Sequence, residues 1–379
     1  IEGLLAFFLE STFLGLWIFG WGRLPRGVHL ATIWVAATGT LLSAYFILAA
    51  NSWMQNPVGF EFNPDRGRAE LVDFGAVLTN PVVLATFPHT IAGAFLTAGG
   101  FVAGIAVWRM VRRPSVDRRE YRSAARLGAV TMIVAGLAVV VSGDVLAKTM
   151  TEVQPMKMAV AEAWYETGAP ADFSVLSFGT LDGSEATDVI VVPGLLSYLA
   201  TGEWGAEVQG INDLQAQYQE EFGDLVPDGN YVPSVPIAYW SFRLMMGFGF
   251  LAMLIGVWIL WATRAADARG LGTSRLVAAV AIALPFFPLL ANSLGWIFTE
   301  MARQPWVVFG LMPTALGVSP TVSAGEAMAT LIGFTLLYGG LAVVEVGLIV
   351  RYVKAGLPDV SRELAADPDD TDRPLTFAY

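Results

Sequence analysis

Seven stretches of this chain are apolar for long enough to cross a bilayer, and nothing else in the sequence limits the fold as severely. They run over roughly 1–20, 30–50, 82–108, 127–147, 236–263, 273–300 and 325–352. A helix needs about 20 residues to span about 30 Å of hydrocarbon. The expected fold is therefore all-α: a polytopic transmembrane bundle of about seven spans. Pro285 and Pro288 should kink the sixth span, with neighbouring helices re-satisfying the freed carbonyls.

Composition agrees and excludes several classes. The chain is 55% hydrophobic and 15% charged, so its net charge of -11 sits mostly in the loops. No basic stripe interleaves with polar surface, which argues against nucleic acid. There is no cysteine, which excludes disulfides, thiolate iron–sulfur ligation and thioether-attached haem. His29 and His89 are the only two histidines, too few for haem–copper oxidases or bis-histidine di-haem cytochromes. Any metal here must also use Met, Glu or a partner's residues. The chain starts at Ile1 with neither a methionine nor a charged flank, and reads as a fragment whose upstream segment is missing rather than as a signal peptide.

Basic residues set the orientation. Seven arginines lie between Arg109 and Arg126, and Arg264, Arg269 and Arg275 lie in a later loop on the same side. Arg23, Arg26, Arg351, Lys354, Arg362 and Arg373 join them, and this side is assigned as cytoplasmic. Residues 1–147 hold the first four spans, 148–235 form one long acidic extracytoplasmic loop, 236–357 hold the last three spans, and 358–379 read as a flexible cytoplasmic tail. Helical stretches are expected within the loop near 155–166 and 211–222.

Ionisable groups within spans are functional candidates by default. Glu10 sits between Phe8-Leu9 and Leu14, with Glu2 on the same segment; at 1.5 Å per residue Glu10 lies about 12 Å deeper. Glu10 is read either as a step in a proton path or as a protonated group that only packs helices. His89 and Met245 lie near the outer entrances of two spans that run in the same direction, so they can reach one depth and grip one haem iron from both faces. The alternative is a hydrogen-bonded interfacial histidine and a gap-filling methionine. Gly93, Ala94, Gly247 and Gly249 follow them and would let a flat macrocycle or a helix approach closely. Arg243 is placed to pair a haem propionate or to anchor a helix end. Glu300 is either a weak iron ligand or a partner for Arg303. In the loop, Lys157 and Glu162 beside Trp164 and Tyr165 could hold and deprotonate a quinol hydroxyl, although a plain surface helix would look similar. His29 reads as a snorkelling or capping group and Glu326 as a capping box with Ser323; Asp144 either serves the site or faces water, and Glu345 lies in the last span without an evident partner.

In this order, these residues resemble subunit I of the cytochrome bd-type quinol oxidases. The resemblance is carried by Ile1-Glu2-Gly3 through Phe7-Phe8-Leu9-Glu10-Ser11-Thr12-Phe13, Asn51-Ser52-Trp53-Met54-Gln55-Asn56-Pro57, His89-Thr90, Phe242-Arg243-Leu244-Met245, and Gly295-Trp296 through Glu300 to Arg303-Gln304-Pro305-Trp306. It implies that His89 and Met245 are axial ligands of a low-spin haem b, tuned by Arg243. Glu300 would ligate a high-spin haem, most simply a second haem b, with Trp296 between haems and Arg303 beside them. Glu2 and Glu10 would serve the high-spin pair and the proton route to haem d. Lys157 and Glu162 match the quinol-oxidation loop, here of the short kind. Ala302 replaces the family's usual Gly. The family also has two further spans upstream, with a histidine ligand, that this sequence does not contain.

The expected activity is that of an electrogenic quinol:oxygen oxidoreductase in the bacterial cell membrane. Quinol would be oxidised at the outer face, and O2 reduced to water with protons from the cytoplasm. The expected partners are a second large subunit in a heterodimer, with room for small accessory subunits, and membrane lipid. The rival readings are a proton- or cation-coupled transporter using the intramembrane carboxylates and a one-haem electron-transfer cytochrome. The first predicts an internal repeat, and none is visible.

Overall fold

The computed structural model describes residues 2–112, 117–180, 183–265, 269–272 and 274–357. The expected tail, 358–379, lies outside the described residues. The chain divides into two units, one holding Ile1–Trp53 and Val58–Val83, the other Met54–Pro57 and Leu84–Gly356.

In the first unit, a π-helical segment over Gly3–Phe7 leads into α1 (Phe8–Phe19), followed by α2 (Arg26–Gln55), whose last two residues belong to the second unit. A hairpin of β1 (Phe60–Asn63) and β2 (Arg68–Leu71) pairs Phe60 with Leu71, and the short α3 (Phe74–Leu78) follows, capped by the Asp73 side chain.

In the second unit, α4 (Pro81–Arg112, its first residues in the first unit), α5 (Arg118–Val153) and, further along the chain, α9 (Val235–Ala262) form the bundle with α10 (Arg275–Ala283) and α11 (Phe286–Met301). Small residues make the crossings. A Cβ on Gly99 would lie 2.8 Å from the Gly128 carbonyl, so α4 and α5 touch backbone to backbone there. The kink expected in the sixth span falls at Leu284-Pro285, between α10 and α11, where the helical hydrogen bonding is interrupted while both residues keep helical backbone angles. α4 packs against that kink through Gly104, where a Cβ would lie 2.7 Å from the Ala281 carbonyl.

The long loop is a folded layer with its own core. It carries α6 (Pro155–Glu162), the hairpin β3 (Phe173–Gly179) and β4 (Ala186–Val192), α7 (Leu195–Thr201) and α8 (Ile211–Phe222). Met156, Leu196, Leu214, Tyr218 and Tyr231 pack with Phe298 from the far end of α11 and Trp306 just beyond it. Gly210 is required at its turn, because a Cβ would lie 2.4 Å from the Tyr165 carbonyl. A short hairpin of β5 (Trp306–Val308) and β6 (Met312–Pro313) follows α11, and α12 (Ala324–Ala355) closes the chain with none of its residues buried.

Among the described residues six helical runs are long and apolar enough to cross a membrane: α2, Phe74–Arg112, α5, α9, Arg275–Met301 and α12. The first of the seven expected spans is the π-helical segment plus α1, whose α-helical part, Phe8–Phe19, is shorter than the others.

Candidate functional site

The densest grouping of buried charge lies where α6 meets α9 and α11. Pro155 starts α6 where its missing N–H costs nothing. Every residue from Met156 to Glu162 is buried, two ionisable groups included. The Lys157 ammonium donates to Gln55 Oε1 at 2.7 Å and lies 5.7 Å from the centre of the Phe298 ring. Burial, reinforced by the Arg303 guanidinium, pulls the Lys157 ammonium down to about 7, against the opposing pull of the Glu300 carboxylate.

Glu162 faces Arg243 in a bidentate pair, with Nη2 2.5 Å from Oε2 and Nη1 3.3 Å from Oε1. Burial pushes the Glu162 carboxyl up, and the guanidinium opposes that push. Nη2 also donates to the Ser174 carbonyl of β3 at 2.7 Å, and the guanidinium lies over the rings of Phe173 and Tyr239 at 4.7 and 4.6 Å. The terminal nitrogens expected to meet a haem propionate therefore clamp the loop to α9. Its Nε is buried and meets no acceptor among the described residues.

Glu300 pairs with Arg303 at 2.5 Å, as the plainer reading of the sequence expected. Glu300 remains 39% exposed and open to a ligand, and Trp296 one turn earlier is exposed as well. Arg303 Nε and Nη1 and Trp306 Nε1 are buried without an acceptor among the described residues.

His89 Nδ1 lies 3.2 Å from Ser142 Oγ on α5. That hydroxyl also donates to the Ala138 carbonyl at 2.6 Å. With the imidazole donating to it through Nδ1, Nε2 keeps its lone pair for a metal. Met245 lies against Gly295 of α11, where a Cβ would come within 2.9 Å of Sδ. Of the two approaches expected at Gly93, a macrocycle or a helix, the helix is the one found. Gly93 packs against Asn292, which donates to the Gly93 carbonyl at 3.3 Å and to Thr97 Oγ1 at 2.9 Å. A Cβ on Gly247 or Gly249 would meet nothing within 4 Å, so both remain open to close approach.

These residues fit haem. They comprise an imidazole, a thioether, and a surplus of buried N–H donors of the kind that carboxylate groups satisfy.

The first unit holds the other two carboxylates. Glu2 Oε1 accepts from Ser43 Oγ at 2.7 Å, and Gly39 of α2 lies so close to α1 that a Cβ would be 3.1 Å from the Glu10 amide nitrogen. The π-helical segment lies between the two acids, a local irregularity that often accompanies function. Of the other candidates, His29 Nε2 lies 2.9 Å from the Trp17 carbonyl, Asp144 pairs with Lys148 at 2.7 Å, and Ser323 and Glu326 form their capping box.

Sequence reasoning gave no role to Gln55, Ser142, Asn292 or Trp306. Gln55 and Trp306 lay within quoted motifs. Ser142 and Asn292 had only a weaker signal, a polar side chain inside an apolar span.

A family model described as cytochrome bd terminal oxidase subunit I matches residues 1–357. The cytochrome bd ubiquinol oxidase subunit 1 of Bacillus subtilis is 43% identical over 359 residues, covering 94% of this chain and 74% of that protein. The cytochrome bd-II ubiquinol oxidase subunit 1 of Escherichia coli is 32% identical, covering 94% of this chain and 78% of that protein. The solved bd oxidase of Geobacillus thermodenitrificans superposes with a TM-score of 0.78 at 27% identity, over 94% of this chain and 77% of that one.

Proposed function

The chain belongs to the cytochrome bd terminal oxidase subunit I family, and from that premise we propose a division of labour among its residues. It is a respiratory oxidase subunit, a membrane-spanning quinol:oxygen oxidoreductase that uses haem and works with a second subunit in the oxidase complex. It is not a transporter.

The proposed quinol site is the α6 corner. In its neutral form, the Lys157 amine accepts a proton from a quinol hydroxyl, which the shift of its ionisation to about 7 makes possible near neutral pH. Glu162 is held by Arg243, so its part is to fix α6 and to keep negative charge near the departing proton. Oxidation occurs on the outer side, where the arginine-poor loops lie.

Haem supplies one-electron storage and a place for O2 to bind and be reduced to water. His89 and Met245 would hold the low-spin haem b, with Ser142 fixing the imidazole. Glu300 would ligate a high-spin haem, b or d, and the surplus donors of Arg243, Arg303 and Trp306 would take carboxylate groups. Trp296 would lie beside the rings. Glu2 and Glu10 would carry protons inward from the cytoplasmic side, leaving quinol protons outside and so separating charge. The partner is subunit II, with small accessory subunits possible in the complex.

One observation carries this reading. An eight-residue loop helix buries a lysine and a glutamate against the two helices, α9 and α11, that present Met245 and Glu300. The test is oxygen uptake by the whole oxidase complex. Lys157→Ala should lower uptake with quinol by about 100-fold or more and leave intact both the reduced-minus-oxidised spectrum and uptake from an artificial donor that bypasses the loop. Equal loss with both donors would reject the quinol assignment.

A further inference from the structure

Gln55 ends α2, is 5% exposed, and belongs with the second unit rather than with the rest of its helix. The backbone beside it is fixed, because the Phe309 N–H donates to the Met54 carbonyl at 2.9 Å. Its side-chain oxygen receives the Lys157 ammonium at 2.7 Å, and among the described residues this is the hydrogen bond that Lys157 makes. An ammonium has only donors, so the amide must present Oε1 to it. The acceptor is neutral and does not lock the lysine into an ion pair. The Phe298 ring covers a second side of the ammonium. Arg303 and Glu300, from α11 and just beyond it, are the charged groups that face it.

We infer that Gln55 is a positioning residue for quinol oxidation: its Oε1 accepts one Lys157 N–H, holds Nζ in place and leaves the amine's lone pair aimed at the substrate hydroxyl. The inference rests on Lys157 being a quinol-site residue. A lysine stem has four rotatable bonds, and a single short bond to a buried, backbone-anchored amide removes most of that freedom before substrate arrives. Leucine would fill the space without accepting. Glutamate would accept at the same reach. Asparagine, one methylene shorter, would fall short.

The experiment measures steady-state oxygen uptake by the complete oxidase in membranes across a range of quinol concentrations. Gln55→Leu should raise the quinol KM by about tenfold or more, as expected for losing a hydrogen bond to a charged group. kcat should stay within about twofold, and the haem spectrum and bypass-donor rate should not change. Gln55→Glu should restore KM to within about threefold of the parent but move the rise of quinol oxidation to higher pH, because a carboxylate favours the ammonium, and Gln55→Asn should not restore KM. Gln55→Leu added to Lys157→Ala should make quinol oxidation no worse than Lys157→Ala alone. An unchanged KM in Gln55→Leu, with Lys157→Ala impaired, overturns the inference and leaves the lysine assignment standing. So does strict additivity in the double variant. An unimpaired Lys157→Ala overturns the assignment beneath it. Should Gln55→Leu lose its haem and fail to assemble, the Glu and Asn variants decide: equal KM values for the two overturn the positioning role.

Discussion

α6 and α12 invert the usual expectation for a loop and a span. α6 is eight residues in an extramembrane loop, and it buries Lys157 and Glu162 along with its apolar residues. α12 is 32 residues of nearly continuous apolar sequence, and none of its residues is buried. The solvents explain the difference. Lipid tails are as apolar as leucine, so a span gains little by covering its own side chains. The loop faces water and has to bury Met156, Leu214, Tyr218 and Tyr231 against one another and against Phe298 and Trp306. The loop therefore had to build an interior, and a charged site placed there acquires shifted ionisation and fixed geometry. On the proposed reading, buried charge outside the spans is where chemistry is to be sought, and exposed apolar length inside them is a face for lipid or a subunit.

The largest effect should come from breaking the α6 clamp. Arg243→Ala leaves Glu162 buried without its partner, a change that typically costs about 3–5 kcal/mol. Protease cutting within the loop should rise sharply and quinol oxidation should collapse, with the bypass-donor rate less affected. If the double variant Arg243→Leu/Glu162→Leu restores protease resistance but not quinol oxidation, the pair's stabilising and functional parts are separated. Resistance unchanged in Arg243→Ala would mean that the loop's core, not the ion pair, holds α6 down.

Next in size is a pH effect. Lys157 is mostly charged below about 7 and mostly neutral above it. With the neutral amine as proton acceptor, quinol oxidation should climb as pH rises through about 7 and then level off. Lys157→Met should lose that step along with most of its rate. A parent profile flat between pH 6 and 8, with the quinol-binding step shown to be rate-limiting, would assign the lysine to binding rather than proton transfer.

How much of this the sequence showed depends on the range of the physics involved. Spans are local: twenty apolar residues in a row announce themselves, and Pro285 announces the kink between α10 and α11. The loop helices at 155–162 and 211–222 lay close to their expected places. The β3–β4 hairpin was missed, although Val189-Ile190-Val191-Val192 is the kind of β-branched run that favours a strand. The partner choices were not legible. Nothing near Arg243 in sequence says that its guanidinium meets Glu162, 81 positions away, or that Gln55 accepts from Lys157 across 102 positions. Gly93 stayed open for the same reason: a small residue after a histidine fits a macrocycle or a neighbouring helix equally well, and Asn292 decides for the helix.

A smaller effect is expected at His89. On the proposed ligation by His89, Ser142→Ala removes the acceptor for Nδ1–H and would make the imidazole a weaker donor to iron. The oxidised state loses more from this than the reduced state, so the reduction potential of the low-spin haem should rise in a redox titration of the purified complex. The quinol KM should stay at the parent value, because Ser142 lies in the spans and not at the α6 corner. A shifted KM with an unmoved potential would place His89 outside the metal's coordination.

The smallest effect should come from α12. Leu336 is 71% exposed, and truncating it removes contacts with lipid tails that other lipid tails replace. Leu336→Ala should change thermal stability in detergent or nanodiscs by no more than about 0.5 kcal/mol. Leu214→Ala, which opens a hole in the loop's core, should cost about 2–5 kcal/mol. The contrast has a sharper use than ranking two leucines. The groove between α12 and α4, lined by Phe101, Ile105, Leu341 and Glu345, carries a carboxylate that lipid alone would not favour. If Leu336→Ala costs as much as Leu214→Ala in the assembled oxidase but not in the separated subunit, α12 is an interface rather than a lipid face. Burial within one chain would then understate how much of the span's surface is functional.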